Sequence, residues 1–241
     1  MIEDDIKLEF EKSIRAFFKE NDAHRDATAI HISTMVYNCA RLLWYHQRTA
    51  ETNDRGFDTE SLYRVWIGTK LHETPITPKH EINLIMDRRG YRVSGTIDEI
   101  FNIDGNIILA DKKFVGRLPS AMNDHHRNQV MFYSVMLNDL RNVKVDMVAL
   151  IYFSPVVDYY NKQRMSVFVN SVTTETLDEY RKKFLGLLDA TIDGLINDTL
   201  PAKNTSWYCR YCPFKPSCDA GMKEDAQLEQ EMTNGSAVVN K

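Results

Sequence analysis

Apolar residues recur at a helical spacing in the first third of the chain. Apolar positions from Ile6 to Phe18 share one face over residues 5–21, which predicts an amphipathic helix. Ser33 is a candidate N-cap for a second helix that carries Met35, Cys39 and His46. A third helix is predicted over residues 60–72. The amino-terminal region is therefore expected to be helical.

The period then changes from helical to strand-like. From Ile82 onward apolar residues occupy every second position, and residues 80–113 are predicted to form a three-stranded antiparallel meander. Arg88-Arg89-Gly90 marks its first turn. Asp104-Gly105 marks the second and is a strong hairpin signal. The third strand is expected to end at Asp111.

The remaining pattern completes an α/β fold, a mixed central sheet flanked by helices. A helix is predicted over residues 122–139, strands over 143–153 and 165–172, and a long helix over 174–197. We divide the chain into a helical region (1–75), a sheet-containing core (76–173), a helix with a cysteine-rich segment (174–223) and a polar tail (224–241) that is expected to be disordered.

Composition narrows the class of protein only a little. The chain has 241 residues, of which 43% are hydrophobic and 27% charged, as in ordinary globular proteins. No apolar run reaches the roughly 20 residues that span a bilayer, and the acidic start does not resemble a signal peptide. We therefore expect a cytoplasmic protein with no membrane partner. The net charge of -4 argues mildly against nucleic-acid binding, although a local basic channel is sufficient. Arg41, Arg117 and Arg127 are candidates for such contacts.

Two aspartates and a lysine near the end of the meander suggest metal chemistry. Adjacent antiparallel strands can place Asp98 beside Asp111, where a divalent cation would relieve the repulsion between their carboxylates. Oxygen ligands of this kind suit Mg²⁺ or Mn²⁺. Lys113 should share a face with Asp111 and could orient or deprotonate an attacking water. Lys112 should point away, so that only its backbone carbonyl could reach the metal.

Three residues outside the meander strengthen this interpretation. His72 lies near the end of the helix that precedes the sheet. Gln129 and Tyr133 are spaced four residues apart on the helix that follows, so they share one face and could contact the lysine or a DNA strand.

The cysteines form a separate candidate site. Cys209, Cys212 and Cys218 lie within ten residues, and Cys39 lies far upstream. Four thiolates suit zinc or an iron–sulfur cluster equally well by ligand type, whereas their spacing alone favours structural zinc.

The ordered set of motifs resembles the RecB-like branch of the PD-(D/E)xK nucleases. The segments that carry this resemblance are Gly95-Thr96-Ile97-Asp98-Glu99, Ala110-Asp111-Lys112-Lys113 and Gln129 to Tyr133. The resemblance implies a restriction-endonuclease-like core over residues 76–173, in which His72, Asp98 and Asp111 bind metal. It also implies that Lys113 activates water and that Gln129 and Tyr133 position the lysine and DNA. One departure is Phe114-Val115-Gly116, because the family often continues with threonine and glycine after the lysine.

The cysteine arrangement resembles that of RecB-like nucleases with an iron–sulfur cluster. One early and three late cysteines flank the core, and the most similar group is the CRISPR-associated exonucleases that act in spacer acquisition. This resemblance implies a [4Fe–4S] cluster, with [2Fe–2S] or zinc as alternatives, held by Cys39, Cys209, Cys212 and Cys218 in a helical subdomain. It also implies single-stranded DNA as substrate, 5′→3′ polarity, and a CRISPR integrase complex as partner.

Two other classes of function remain open on the sequence. The chain could be a catalytically silent DNA-binding or assembly subunit, or a zinc-stabilised interaction module. The residues at the candidate catalytic positions are all chemically competent, which favours the enzyme. The sequence does not fix the oligomeric state.

Overall fold

The computed structural model describes residues 6, 8–9, 11–17, 26, 28–49, 59–156 and 163–219, with only the backbone of residues 59–62. Residues 11–17 are helical. The labelled helices are α1 (Ile32–Met35), α2 (Ala40–Arg48), α3 (Thr59–His72), α4 (Asp124–Arg141) and α5 (Thr174–Ile196), followed by a 3₁₀ turn at Trp207–Arg210. The strands are β1 (Ile30–His31), β2 (His80–Arg88), β3 (Tyr91–Ile103), β4 (Asn106–Phe114), β5 (Met147–Phe153) and β6 (Met165–Ser171).

The strands form one six-stranded mixed sheet. Its main path runs β1-β3-β4-β5-β6, and β2 pairs antiparallel with β3. On the edge opposite β2, the long strand β3 pairs parallel with β1 near its start and antiparallel with β4 near its end. β4 and β5 are parallel because α4 connects them. The predicted α/β fold with a mixed central sheet is therefore confirmed.

The meander follows the turn chemistry of the sequence. Arg89 and Gly90 have φ values of 54° and 82° between β2 and β3, and Asp104 and Gly105 have 52° and 82° between β3 and β4. Two successive residues with positive φ are what a tight hairpin turn requires, and glycine adopts this conformation without steric cost. Both predicted turns are present.

One face of the sheet carries the main core. Helix α4 packs against this face and α5 packs against α4, and Leu109, Phe132, Tyr152 and Phe184 are fully buried there. Each side chain of this size stabilises the fold by about 1.5–3 kcal/mol when it leaves water. The opposite face has a smaller cluster around Ala110, Ala149 and Ile151. Packing in the core therefore fixes the position of β4 and of the polar residues near its end.

Several boundaries differ from the prediction. The strand β4 continues to Phe114 and does not end at Asp111. The second helix is broken: α1 ends at Met35, Asn38 adopts a φ of 53°, and Cys39 is the N-cap of α2. Ser33 therefore lies inside α1 and is not the N-cap of the helix that carries His46. The left-handed conformation of Asn38 separates α1 from α2. β5 begins at Met147 rather than at residue 143. Asp146 accepts a hydrogen bond from the backbone N–H of Ile107 and donates its own backbone N–H to the Ile107 carbonyl, so it anchors the segment before β5 to β4.

Some predictions fall outside the described residues. These include both ends of the helix predicted over residues 5–21 and the whole tail from residue 224. Among the described residues, no helix combines the length and the apolar character needed to cross a bilayer.

Candidate active site

Asp98 and Asp111 lie where β3 and β4 part. The described pairing of the two strands ends at Glu99 and Ala110, so the two aspartates are the next residues in register. Both are buried, with relative exposures of 5% and 0%. Asp98 Oδ2 accepts a hydrogen bond of 2.7 Å from the backbone N–H of Lys112. The sheet thus brings both carboxylates to one point, as the sequence predicted.

The two lysines after Asp111 point to opposite faces of β4. Lys113 Nζ lies 2.6 Å from Asp111 Oδ2, and its side chain is 17% exposed. Lys112 is buried on the other face, where its Nζ donates to Glu99 Oε1 at 2.9 Å. This alternation is the period of a β-strand, and it places Lys113 alone beside the aspartates.

His72 closes the site from the end of α3. Its Nδ1 lies 2.8 Å from Asp98 Oδ2, and the imidazole is one-third exposed. Glu81, at the start of β2, joins them: one ligand atom each from His72, Glu81 and Asp98 lie within 4.8 Å of one another. Glu81 was not predicted from the sequence. It adopts a φ of 48°, an uncommon conformation for glutamate that no sequence pattern signals.

The electrostatics of the site favour a bound cation. Burial, followed by the charge of Asp98, raises the pKa of Asp111 to about 6 against the opposing effect of Lys113. Burial would lower the pKa of His72, but its hydrogen bond with Asp98 and the charges of both aspartates raise it overall. Burial and Asp98 also raise the pKa of Glu81. The protein therefore concentrates negative charge where water does not screen it.

The carboxylate of Asp111 is buried without a full set of partners. The buried Asp111 Oδ1 has no hydrogen-bond donor within the described part of the chain, and Oδ2 meets only the Lys113 ammonium, in an alignment poor for a hydrogen bond. Buried carboxylate oxygens without donors are costly unless a metal or another partner satisfies them. His72, Glu81, Asp98 and Asp111 together offer the nitrogen and oxygen ligands that fit a divalent cation.

Gln129 and Tyr133 are buried together beneath β3. Gln129 Nε2 donates to the Tyr133 hydroxyl at 3.1 Å, and their exposures are 8% and 3%. A Cβ atom on Gly95 would come within 2.5 Å of Tyr133 Cε1, so the glycine allows the ring to approach the strand. Burial and the charge of Asp111 raise the pKa of Tyr133, which keeps it neutral.

A family comparison agrees with this arrangement. The model of the PD-(D/E)XK nuclease superfamily matches residues 11–219, which include all of these positions. The chain belongs to the PD-(D/E)XK nuclease superfamily. Members of this superfamily generally use Mg²⁺ or Mn²⁺, in agreement with the ligands around Asp98 and Asp111.

Solved structures support the same fold. The crystal structure of SSO0001 aligns with a TM-score of 0.61 at 17% identity and covers 88% of this chain and 97% of that chain. At this identity the likeness shows a shared fold. A structure from Eubacterium rectale aligns at 10% identity over 80% of this chain and 78% of that chain. Its TM-score of 0.39 is too low to show a shared fold. No protein with a curated description matches the chain.

The sequence did not predict the buried ion pair of Glu99 and Lys112, which lies behind the candidate active site. Glu99 accepts hydrogen bonds from the backbone N–H groups of Ile76 and Thr77 and from Lys112 Nζ. Lys112 Nζ donates in turn to the carbonyl oxygens of His72 and Thr74, at 3.2 and 2.7 Å. The pair therefore ties the end of α3, and with it His72, to the sheet.

The four cysteines line one cavity of about 60 Å³. Several contacts bring the two cysteine segments together. Among them, Tyr37 stacks on Tyr208 with a centroid distance of 3.6 Å, Asn204 donates to the Asn38 carbonyl, and Arg41 donates to the Pro201 carbonyl. All four thiols are free. Burial, followed by the other three cysteines, raises the pKa of Cys212. Four convergent thiols fit zinc or an iron–sulfur cluster.

The three arginines suggested for DNA contacts lie in different environments. Arg41 is 5% exposed and belongs to the cysteine site, where its Nη1 lies 3.7 Å from Cys218 Sγ. The prediction that Arg41 tracks DNA is therefore wrong, because the packing of α2 turns its side chain inward. Arg127 is half-buried and 3.6 Å from Asp124. Arg117 is exposed on the loop after β4.

Proposed function

We propose that this nuclease degrades single-stranded DNA from an end, with 5′→3′ polarity, by metal-dependent hydrolysis of phosphodiester bonds. The observation that carries the proposal is the Asp111 carboxylate, buried with an unsatisfied oxygen beside His72, Asp98 and Lys113. The resemblance to RecB-like exonucleases supports the substrate and the polarity.

Each residue of the site has a distinct role in this proposal. His72, Asp98, Asp111 and the Lys112 carbonyl would hold the cation, with Glu81 as a further ligand at the exposed side. When bound, the cation polarises the phosphate and stabilises the leaving oxygen. Lys113 orients the attacking water through its ammonium group or accepts its proton as the neutral amine. Gln129 and Tyr133 position Lys113 and the DNA from beneath the strand on which Asp98 lies.

Digestion of end-labelled DNA tests the activity. Lys113→Ala should reduce the rate by about 100-fold or more, since general acid–base groups contribute about 10²–10⁴-fold. Lys182→Ala is the matched control, because Lys182 is exposed on α5. A phosphorothioate block at the 5′ end should protect the strand, whereas the same block at the 3′ end should not. Equal rates for Lys113→Ala and the parent would contradict the mechanism, and no cleavage at all would favour the silent-subunit alternative.

We further propose that the cysteines hold a [4Fe–4S] cluster that clamps residue 39 to the carboxyl-terminal segment. The support is the convergence of four free thiols from segments far apart in sequence, together with the family resemblance. Anaerobic purification should give a brown protein with about four irons per chain, a count that follows from the cluster type. A colourless protein with one zinc per chain would overturn the assignment.

The pathway proposal rests on the resemblance alone. It assigns the nuclease to CRISPR spacer acquisition, acting with an integrase complex. In cells that carry such a complex, Lys113→Ala should change the length distribution of newly captured spacers. Identical spacer lengths in parent and variant cells would refute this role without affecting the nuclease assignment.

A further inference from the structure

Two aromatic side chains of the cysteine segment are unusually exposed. Trp207 is 55% exposed and Tyr211 is 65% exposed, and their ring centroids are 6.2 Å apart. Both lie at the 3₁₀ turn that contains Cys209. The turn is tied to the body of the protein by the Tyr37–Tyr208 stack, so the exposed rings stand on a fixed base.

Ring contacts connect Trp207 to two histidines that lie within the electrostatic influence of Lys113. The Trp207 ring lies 5.3 Å from that of His125, and His125 lies 3.9 Å from His126, on the first turn of α4. Burial and then the positive charge of Lys113 lower the pKa of both histidines. The charge of Lys113 therefore acts on His125, whose ring contacts Trp207.

The same turn presents positive charge to solvent. Arg210 is exposed, and its guanidinium carbon lies 5.9 Å from the centre of the Tyr211 ring. Lys215 is exposed a few residues later. Exposed aromatic rings alternating with cations are the features by which proteins bind single-stranded nucleic acid, through base stacking and phosphate contacts.

We propose that Trp207 and Tyr211 form a stacking platform for unpaired bases of the DNA substrate and that Arg210 contacts its backbone. This proposal rests on the proposed nuclease function and explains how the site would select single strands. In a duplex the base faces are already stacked on one another, so the two rings have no free base to stack on. Only the phosphates of the duplex could be contacted, by Arg210. A single strand held at Trp207 would be led past His125 toward Lys113.

Binding to oligonucleotides that differ only in their bases tests the platform. Labelled oligothymidylate and an abasic strand of equal length carry the same phosphates, so any difference in affinity reports base contacts. In buffer without divalent metal, the intact cluster-containing protein should prefer the thymidine strand about tenfold in anisotropy titrations. Trp207→Ala should lose most of this preference, whereas Trp207→Phe should keep much of it because a phenyl ring still stacks.

Ile196→Ala is the matched control, because Ile196 is 54% exposed at the end of α5 and has no place in the platform. Far-ultraviolet circular dichroism and the visible absorption of the cluster check that each variant is folded. Equal affinity of the parent protein for both strands, or an unchanged preference in Trp207→Ala, would overturn the proposal. So would equally tight binding of a blunt duplex.

The result is separable from that of the cleavage assay. A protein that digests single strands but shows no base preference would retain its proposed function and lose the platform. A base preference that depends on Trp207, in a protein that cuts no DNA, would support the platform and refute the nuclease proposal.

Discussion

Replacing Lys112 by methionine should destabilise the protein strongly, although methionine is also a long, unbranched side chain. Lys112 and Glu99 are 0% exposed, and their ion pair is 2.9 Å long. Lys112→Met would leave the Glu99 carboxylate buried without its counter-ion. It would also remove the donor to the carbonyl oxygens of His72 and Thr74.

The expected cost follows from the burial of the pair. Removing one partner of a buried ion pair costs about 3–5 kcal/mol, a large part of the ~5–15 kcal/mol that stabilises a typical protein. For a chain of this size the melting temperature should fall by about 10 °C. The double variant Glu99→Gln/Lys112→Met should recover part of the loss, because neither charge is then left unpaired.

Urea unfolding and thermal melting followed by circular dichroism measure these changes. The control is Lys70→Met, which removes a surface pair of Lys70 and Glu73 with side chains 45% and 51% exposed. Pairs of this kind contribute about 0–1 kcal/mol. A Lys112→Met variant no less stable than Lys70→Met would show that the buried pair does not hold the fold.

The pair also predicts a pH dependence. Burial alone would raise the pKa of Glu99, but the hydrogen bonds from Lys112, Ile76 and Thr77 lower it overall. A carboxyl whose pKa is lowered by folding contributes stability above its unfolded pKa of about 4.3 and loses it as the pH falls further. Glu99→Gln should therefore flatten the loss of stability below that pH.

Three further predictions concern other parts of the fold. Gly95→Ala should cost about 1–3 kcal/mol in urea unfolding, because its Cβ would meet the buried Tyr133 ring at 2.5 Å, and a variant as stable as the parent would contradict that packing. Burial and then Lys113 lower the pKa of His126 to about 2, so this histidine is neutral in the fold and its contribution is lost as the pH falls below about 6.5. Parent stability should drop by about 1 kcal/mol more than that of His126→Gln between pH 7.5 and 5.5, and parallel curves would refute this. Arg41→Gln should speed loss of the proposed cluster to a chelator by about tenfold or more, because it removes the donor near Cys218 Sγ, and an unchanged rate of bleaching would argue against that role.

The parts of the fold that depend on neighbours in sequence could be predicted. The Asp104-Gly105 turn needs positive φ at both residues, and this sequence favours it locally. The opposite directions of Lys112 and Lys113 follow from the period of a strand once β4 is recognised. The close approach of Asp98 to Asp111 follows from the same hairpin.

Other features depend on contacts between distant segments and carry no local signal. Glu81 reaches the metal ligands only because β2 pairs with β3 and Glu81 takes a left-handed conformation. The sequence suggested that Lys112 points away from the site, but not that Glu99 would meet it in the interior. Arg41 looked like a surface cation because its burial depends on the segment around Pro201.

The stack of Tyr37 on Tyr208 has a consequence for how the enzyme would fail. These rings join the two cysteine segments, whereas Asp98, Asp111 and Lys113 all belong to the sheet. If the proposed cluster were lost, the Tyr37–Tyr208 stack would still hold the 3₁₀ turn, and the sheet would still hold Asp98, Asp111 and Lys113 together. Loss of the cluster should then weaken the enzyme gradually instead of abolishing its activity at once.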